Sequence, residues 1–390
     1  MADIYTPFIK NERQQMLFNK AEALADKAQT RVSETEKAAD FSLETLKDLK
    51  QANYVSLPLP KSYGGEELSL YELLLLQERL AVGDGSTSLS IGWHMGIVME
   101  QSERETRTWS QEAYDLIASE IGKNNKVINT LATEPATGSP TRGGIPQTTA
   151  KKQGEAYVLN GRKSFATMSS VLDYYLITAF VEEEETIGTF LLSKGTAGVS
   201  IEQTWDTLGM RGTGSNDVIL KDVSVPLNHL VEVNRQKKSS PKGWLLHIPA
   251  CYLGIAIAAR NEAVTFAKNY QPNSLDTPIA EVPHIKQKIG EMELKLMHAR
   301  YFMYTIAEKW DQHPDSRGEL APELAAVKTV ATNAANEVVD LAMRIAGGRG
   351  LSKKFRFEQL YRDVRAGLHN PPMDDAVISM LASKAINEDI

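Results

Sequence analysis

The chain has 390 residues, of which 42% are hydrophobic and 24% are charged, and its formal net charge is −7. A chain of this length forms about two or three domains and buries enough surface to fold without disulfides or a structural metal. The acidic balance excludes the basic stripe with which nucleic-acid-binding proteins neutralise phosphates. The one cysteine, Cys251, lies in an apolar stretch, where a buried free thiol is expected.

The N-terminal residues do not resemble a secretory signal, because Asp3, Lys10 and Glu12 precede any apolar run. The most apolar patch, residues 73–76, is far too short to span a bilayer. We therefore expect no membrane span and a reducing, cytoplasmic setting.

Residues 1–125 are expected to form an N-terminal helical domain. An apolar stripe recurs there at steps of three and four residues, as one face of a helix requires: Ala21, Leu24, Ala25 and Ala28. Ser42 is placed to cap a further helix, whose stripe begins at Leu43. The leucines of residues 73–80 indicate another, largely buried helix that ends near Gly83.

Residues 126–235 have a different composition and pattern, because glycine, threonine and short β-branched runs replace the helical stripes. Runs of strand length follow one another at residues 157–159, 175–178, 189–192 and 218–220. The pair Asn160-Gly161 is a hairpin-type turn signal. These patterns predict a compact antiparallel β domain.

Residues 236–390 return to helices, which are now longer. One apolar stripe continues over several turns: Leu324, Val327, Ala331, Ala334, Val338, Leu341 and Ile345. Pro322 suits the first turn of this helix, and Gly347 suits its C-terminal end. Because long stripes of this period build antiparallel bundles, we predict a C-terminal helix bundle.

Two classes of catalytic site find no support in the sequence. None of the seven histidines pairs with another at the short helical spacing of a zinc motif, and there is no cysteine cluster, so we expect no metal site. No nucleophile-elbow sequence supports serine hydrolysis. The glycine-rich residues 209–214 and 347–350 lack the strand-turn-helix context of a dinucleotide-binding fingerprint.

Four segments carry more information together than separately. They are TEPATGS at residues 133–139, GRKSFAT at 161–167, LGMRGTGS at 208–215 followed by DVSVP at 222–226, and AGGRG at 346–350 followed by YRD at 361–363. In this order they resemble the signature segments of the acyl-CoA dehydrogenase superfamily over nearly the whole chain.

The resemblance implies a mainly α protein of the α+β class. Its parts would be an N-terminal helical domain, a middle antiparallel β-barrel-like domain and a C-terminal four-helix bundle, usually assembled as a homotetramer. It also implies a flavin between the β domain and the bundle, normally FAD. This order of domains agrees with the order of helices, strands and helices that the residue patterns predict.

The resemblance also assigns roles to single residues. Ala132, Thr133 and Thr167 match positions at the flavin, where directional hydrogen bonds orient the ring and tune its electron affinity. Phe165 matches an aromatic, commonly tryptophan, that packs on the flavin. Arg349 belongs to a segment that contacts the cofactor. Without the resemblance, Thr133 and Thr167 would be ordinary strand threonines.

On the substrate side, Ser139 matches a position near the carrier group of the substrate. Trp93 and His94 are candidates to line the substrate end of the pocket. A purely structural role, in which the two side chains pack their helix, is an equal alternative.

The usual catalytic base is missing from the sequence. Family dehydrogenases remove a proton next to the thioester with a glutamate that lies just beyond the YRD motif, and a carboxylate must reach that carbon acid. Counting from Asp363 without gaps, the residue here is Pro371. Some members place the glutamate on the helix that opens the bundle, but the matching residues 243–248 read GWLLHI.

A second departure concerns the flavin's phosphates. Relatives that bind FAD tightly often have an arginine near the loop that corresponds to residues 270–276, which contains no basic residue here. Losing a bidentate phosphate ligand would weaken FAD or favour FMN.

Three functions remain open. The first is dehydrogenation of an acyl thioester with another base, for which Asp374 and Asp375 are nearest in sequence. The second is a two-component flavin-dependent monooxygenase, because members of that branch carry a Leu-His-Asp-Pro-like turn where residues 368–371 read LHNP. In both, His369 would lie near the flavin. The third is a non-catalytic flavin or acyl-binding protein.

The expected partners follow from these functions. The substrate would be an acyl-CoA or another hydrophobic small molecule. Electrons would pass to an electron-transfer partner or arrive from a flavin reductase.

Overall fold

The structure is a computed structural model, which describes residues 4–103, 107–137, 144–234 and 241–387. The N-terminal part is helical. Its helices are α1 (Glu12–Gln29), α2 (Val32–Ala38), α3 (Leu43–Gln51), α4 (Leu70–Gly83), α5 (Gly85–Ser102) and α6 (Gln111–Asn124). The predicted helical N-terminal region is confirmed.

Side-chain caps set the beginnings of these helices. Ser42 accepts a hydrogen bond from the backbone N–H of Thr45, as the sequence predicted. Ser69 and Glu72 form a capping box at the start of α4. Nearly every residue of α4 is buried, including the polar Gln77 and Glu78, so this helix lies in the protein core.

The middle part is one eight-stranded sheet. Its strands are β1 (Ile128–Leu131), β2 (Thr149–Gln153), β3 (Ala156–Lys163), β4 (Tyr174–Val181), β5 (Thr186–Ser193), β6 (Val199–Glu202), β7 (Asp217–Pro226) and β8 (Leu230–Asn234). The order is β6-β7-β3-β2-β4-β5-β8, and β1 pairs with β4.

The expectation of an antiparallel, barrel-like domain needs a correction. The sheet is open, because β6 and β8 lie at opposite ends of the order. It is also mixed, since β4 pairs in parallel with both β1 and β2. Parallel neighbours require long crossovers, which local turn signals do not reveal. The predicted hairpin turn at Asn160-Gly161 is wrong, because both residues lie inside β3, where its pairing with β7 shifts register.

The C-terminal part is again helical, as predicted. Its helices are α7 (His247–Asn269), α8 (Pro283–Gln312), α9 (Ala321–Ala346), α10 (Phe357–Arg365) and α11 (Asp374–Ile386). Pro322 lies in the first turn of α9, and Gly347 ends that helix with a φ of +58°. By length and composition the segment Gly243–Asn269 could cross a membrane, but 89% of its most apolar window is buried inside the fold.

A buried ion pair joins the N-terminal helices to the bundle. Glu78 of α4 and Arg300 of α8 are almost completely buried, and Arg300 Nη2 lies 2.7 Å from Glu78 Oε1. Arg300 also donates to the carbonyl of Ile4 at 2.6 Å, and its guanidinium lies 4.2 Å from the ring centre of Phe8. Each of the three guanidinium nitrogens therefore has an acceptor, either the Glu78 carboxylate or the carbonyl of Ile4.

We predict that Arg300→Met lowers the free energy of unfolding by about 3–5 kcal/mol, because it leaves the Glu78 carboxylate buried without its partner. The double variant Glu78→Leu/Arg300→Met recovers most of this loss, since no charge remains buried. Urea denaturation of the three proteins measures both effects. A single variant as stable as the double variant would contradict the prediction.

Candidate active site

A second buried ion pair connects two of the signature segments. Lys163 Nζ, at the end of β3, lies 2.6 Å from Glu134 Oε1, and both side chains are at most 2% exposed. Glu134 also accepts the backbone N–H groups of Gln147 and Thr148. Burial disfavours the charged carboxylate, but the ammonium group and these donors outweigh it and lower the pKa of Glu134.

The ion pair places the segments after β1 and β3 side by side. The backbone N–H of Ser164 donates to the carbonyl of Thr133 at 2.9 Å. The amide of Asn129 in β1 donates to the carbonyl of Thr167 at 3.2 Å. Thr133, Phe165 and Thr167 therefore lie on one surface at the edge of the sheet, which we call the shelf.

Phe165 projects from the shelf into solvent. It is 64% exposed, although it is a large aromatic side chain, and Trp205 packs edge-on against it at 5.7 Å between ring centres. Its φ of +54° lies in the left-handed region, as does that of Met168 at +61°. Strained, non-glycine backbone of this kind is concentrated at functional sites.

The glycine-rich segment 208–215 packs behind the shelf. Thr167 Oγ1 and Ser215 Oγ lie 3.0 Å apart and share a hydrogen bond. The backbone N–H of Met168 donates to the carbonyl of Thr213 at 2.9 Å. The exposed ring of Phe165 offers an apolar plane, and the threonine and backbone groups beside it offer a polar edge, a combination that suits a flavin. The residues present therefore fit the implied cofactor.

Asp363 of the YRD motif fixes the glycine-rich segment to α10. Its Oδ1 accepts the backbone N–H of Met210 at 2.6 Å, and its Oδ2 accepts the side-chain amide of Gln359. A Cβ on Gly209 would lie 2.3 Å from the carbonyl oxygen of Arg362, so only glycine permits this close approach. The two motifs thus meet in space, although about 150 residues separate them in the chain.

The turn 366–373, where the family's base is expected, contains no carboxylate. His369 is exposed, and Asn370 accepts a hydrogen bond from the hydroxyl of Tyr252 at 2.7 Å. The peptide bond between Pro371 and Pro372 is cis. Ring atoms of Tyr252 lie 2.9 Å from the position that a Cβ on Gly367 would take, so the turn lies directly on α7.

Asp374 points to α9 and not into this turn. Its carboxylate binds Lys328, Thr329 and Asn333 at 2.7–3.2 Å. Burial opposes its ionisation, but the hydrogen bond from Asn333 and the charge of Lys328 outweigh it and lower the pKa. An acid held this way is a poor base, so the geometry favours a structural role. The exposed Asp375 accepts the backbone N–H of Ala376 on its own helix.

Trp93 and His94, proposed as a pair, have different surroundings. The backbone N–H of Ile128 donates to His94 Nδ1 at 3.1 Å, so the proton is on Nε2, which donates to the carbonyl of Val55 at 2.9 Å. Burial lowers the pKa of His94 to about 4, and the ring is neutral. His94 therefore joins α5 to β1, which favours packing over substrate contact. Trp93 is half-buried and lies against Trp244 and His247.

His247 was not selected from the sequence, where it is one of seven scattered histidines. It is completely buried at the start of α7, next to two tryptophans. The sequence contains one signal for this packing. Gly92 and Gly96 are four residues apart and therefore share one face of α5, where another side chain can pack closely.

Three sequence-predicted candidates remain. Arg349 is exposed, donates to the hydroxyl of Tyr270 at 3.2 Å, and lies 4.5 Å from the centre of that ring. It therefore supplies a cation beside the loop 270–276, which has none of its own. Ala132 is half-buried just after β1. Ser139 lies outside the described residues.

We predict that the stability contributed by Asp363 depends on pH. Burial, aided by the charge of Glu36, raises the pKa of Asp363 to about 7. Because this exceeds the ordinary value of about 4, its contribution is full below pH 4 and is lost as the pH rises through 7.

The variant Asp363→Asn keeps an acceptor for Met210 and cannot ionise. Between pH 5 and pH 8.5, the unfolding free energy of the wild type should fall relative to this variant by on the order of a few kcal/mol. Denaturant unfolding of both proteins across this pH range measures the difference between their unfolding free energies. The protonation of all other groups contributes equally to both proteins and cancels. A constant difference would contradict the raised pKa.

Comparison with known proteins agrees with this geometry. Three family models match the chain: the acyl-CoA dehydrogenase N-terminal domain at residues 11–110, its middle domain at 129–223 and its C-terminal domain at 246–368. The chain is 48% identical to YdbM of Bacillus subtilis, a protein named as a candidate acyl-CoA dehydrogenase, over 97% of this chain and 98% of YdbM.

More distant relatives have different activities in their names. A 3-(aryl)acrylate reductase of Clostridium sporogenes is 30% identical over 85% of this chain and 87% of its own length. A dibenzothiophene monooxygenase of Rhodococcus qingshengii is 25% identical over 90% of this chain and 89% of its own length.

Solved structures show the same fold. The butyryl-CoA dehydrogenase of Megasphaera elsdenii superimposes with a TM-score of 0.84 at 21% identity, over 97% of this chain and 99% of the other. TdsC of Paenibacillus sp. A11-2, with FMN and indole, superimposes with a TM-score of 0.85 at 22% identity, over 97% and 98% of the two chains. With all three domains matched in order, this chain belongs to the acyl-CoA dehydrogenase family of flavin-dependent oxidoreductases.

Proposed function

We propose that this protein is a flavin-dependent monooxygenase built on the acyl-CoA dehydrogenase fold. The observation that carries the proposal is the replacement of the catalytic carboxylate at both of the family's base positions. The shelf is retained, so the capacity to hold a flavin is kept while the means to deprotonate a carbon acid is not.

Neither of the family's two base positions carries a carboxylate in this chain. Pro371 stands at the first position, and its neighbour Asn370 accepts a hydrogen bond from Tyr252. The second position falls within residues 243–248, which read GWLLHI and contain no carboxylate. His247 is the titratable side chain of this stretch, and burial lowers its pKa to about 3, so it is a weak base. Asp374, the carboxylate nearest to Pro371 in sequence, is bound to three residues of α9. An acyl thioester would therefore find no carboxylate at either family position to take its α-proton.

Oxygen transfer does not need that proton. A bound reduced flavin supplies two electrons to dioxygen, of which one oxygen atom enters the substrate and the other leaves as water. His369 is the residue of the turn that can hold or donate a proton near this reaction, and its exposure leaves the ring free to approach a ligand. The dibenzothiophene monooxygenase relative supports such chemistry on this fold.

The second candidate is an oxidoreductase that acts on the CH–CH group of an acyl thioester. The 30% identity to a 3-(aryl)acrylate reductase favours it, because that activity concerns a carbon–carbon double bond beside a carboxyl group. This reading requires a proton donor or acceptor other than the family's glutamate.

For the cofactor, we propose that Thr133, Phe165 and Thr167 hold the flavin ring, that Ala132 lies beside it, and that Arg349 binds its phosphates. FAD is the family's usual form. FMN is the alternative, since residues 270–276 provide no cation and Arg349 lies alone beside Tyr270.

We further propose a homo-oligomer, a tetramer in the family's usual form, in the cytoplasm. An exposed apolar stripe on α8 supports a subunit contact: Leu294, Met297 and Tyr301 are 68%, 57% and 50% exposed. A monooxygenase would receive reduced flavin from a reductase, whereas the second candidate would exchange electrons with an electron-transfer protein.

The first test separates the two candidates. The protein loaded with oxidised flavin is mixed without oxygen with a panel of saturated acyl-CoAs, including short-chain and 3-arylpropionyl thioesters, while the flavin absorbance is recorded. We expect no bleaching by any saturated thioester. Reduced flavin and oxygen are then supplied with candidate hydrophobic substrates, and oxygenated products are sought by mass spectrometry. Bleaching by an acyl-CoA would overturn the monooxygenase proposal.

The second test concerns His369. We expect His369→Gln to lower the rate of product formation by at least about a hundredfold, as for a lost general acid or base. Flavin binding should not change, because the shelf does not contain this residue. The exposed His284, in the first turn of α8, serves as the control, and His284→Gln should leave the rate intact. An unchanged rate in His369→Gln would remove this residue from the mechanism.

A further inference from the structure

The imidazole of His247 is buried without a hydrogen-bond partner. The residue is 0% exposed, and neither Nδ1 nor Nε2 has a partner within the described residues. By contrast, both ring nitrogens of the equally buried His94 are bonded to the backbone. Unpaired buried polar groups destabilise a fold and are rare in native proteins, so such a group calls for a functional explanation.

Two glycines of α5 create the space for this residue. A Cβ on Gly92 would lie 2.2 Å from His247 Nδ1, and a Cβ on Gly96 would lie 2.1 Å from Cε3 of Trp244. The two glycines are four residues apart and therefore share one face of the helix. The position of the imidazole is thus fixed by packing and not by hydrogen bonds.

Two tryptophans enclose the imidazole. Trp93 stands edge-on to it with ring centres 4.8 Å apart, and Trp244 is stacked at 5.8 Å with an interplanar angle of 14°. The two indoles are 5.9 Å from each other. These separations are contact distances for aromatic rings, so side chains fill the space between α5 and the beginning of α7.

This aromatic cluster, Trp93, Trp244 and His247, adjoins the turn that replaces the base. Leu245 and Leu246 lie between Trp244 and His247 in the sequence. They line a cavity of about 160 Å³ together with Pro371 and Pro372. On the other side, His94 joins the same helix as Trp93 to β1, whose end leads into the shelf. The cluster is thus connected to the beginning of β1 on one side and to the turn 366–373 on the other.

We propose that His247 is the polar anchor of the substrate site, and that the site takes a compact, flat, apolar molecule with one hydrogen-bonding atom instead of a long acyl chain. This inference rests on the proposed function, since it assigns the substrate class of that same site. Burial lowers the pKa of His247 to about 3, so the ring is neutral and offers one donor and one acceptor. A ligand atom of either kind satisfies it.

Equilibrium binding to the oxidised, flavin-loaded protein tests the anchor without any turnover. Two pairs of probes of matched shape are titrated by calorimetry: indole against indene, and quinoline against naphthalene. Only the first member of each pair has a hydrogen-bonding nitrogen. For at least one pair, the wild type should prefer the nitrogen-containing probe by about tenfold, as expected for one hydrogen bond.

The variant His247→Leu should remove that preference while it retains binding of indene or naphthalene. His313→Leu, at an exposed position after α8, is the control and should bind like the wild type. No preference in the wild type for either pair, or a preference that survives in His247→Leu, would overturn the proposal.

Thermal unfolding provides a second readout that a structural role would not produce. Replacing an unpaired buried imidazole by an apolar side chain should leave the melting temperature unchanged or raise it. His247→Phe, which keeps a ring, and His247→Leu, which makes less demand on the space beside Gly92, are compared. A clear fall in both would show that the imidazole has a structural partner and would overturn the anchor. Failure of oxygen transfer with intact selective binding would instead overturn the proposed function alone.

Discussion

The buried ion pair between Glu134 and Lys163 is the constraint on which the rest of the site depends. In a low-dielectric interior, an ammonium 2.6 Å from a carboxylate holds its geometry firmly, because separating the two would leave a buried charge without compensation. The pair joins the end of β3 to the segment that follows β1. Thr133, Phe165 and Thr167 are thereby held as one surface, with Phe165 kept exposed by strained backbone.

The two sides of the site have diverged in different ways. On the flavin side, Asp363 fastens the glycine-rich segment through the backbone N–H of Met210. On the substrate side, Asn370 is bound by Tyr252, and a proline stands where a carboxylate is expected. An aromatic cluster with an unpaired imidazole fills the neighbouring space. We propose that the site holds a flavin and that recognition of a different kind of molecule has replaced proton abstraction.

Local patterns predicted much of this fold. Helices, their Ser42 cap and the α9 stripe followed from periodicity and capping, which act between residues near in sequence. The open, mixed sheet did not, because the parallel pairing of β4 with β1 depends on contacts distant in the chain. The same limit applies to the site, where Trp93 and His94 are neighbours with different surroundings and His247 has no motif. The family resemblance located the shelf, but a single sequence could not show that Asp374 is bound to α9.

The central claim is that no residue of this site removes the α-proton of an acyl thioester. Hydrogen exchange measures that ability directly, without oxygen, an electron partner or knowledge of the true substrate. Butyryl-CoA and longer thioesters are incubated with the flavin-loaded protein in deuterium oxide, and deuterium at C2 is followed by NMR. The structure predicts exchange no faster than in buffer alone. Exchange at C2 that rises in proportion to protein concentration would contradict it and restore the dehydrogenase reading.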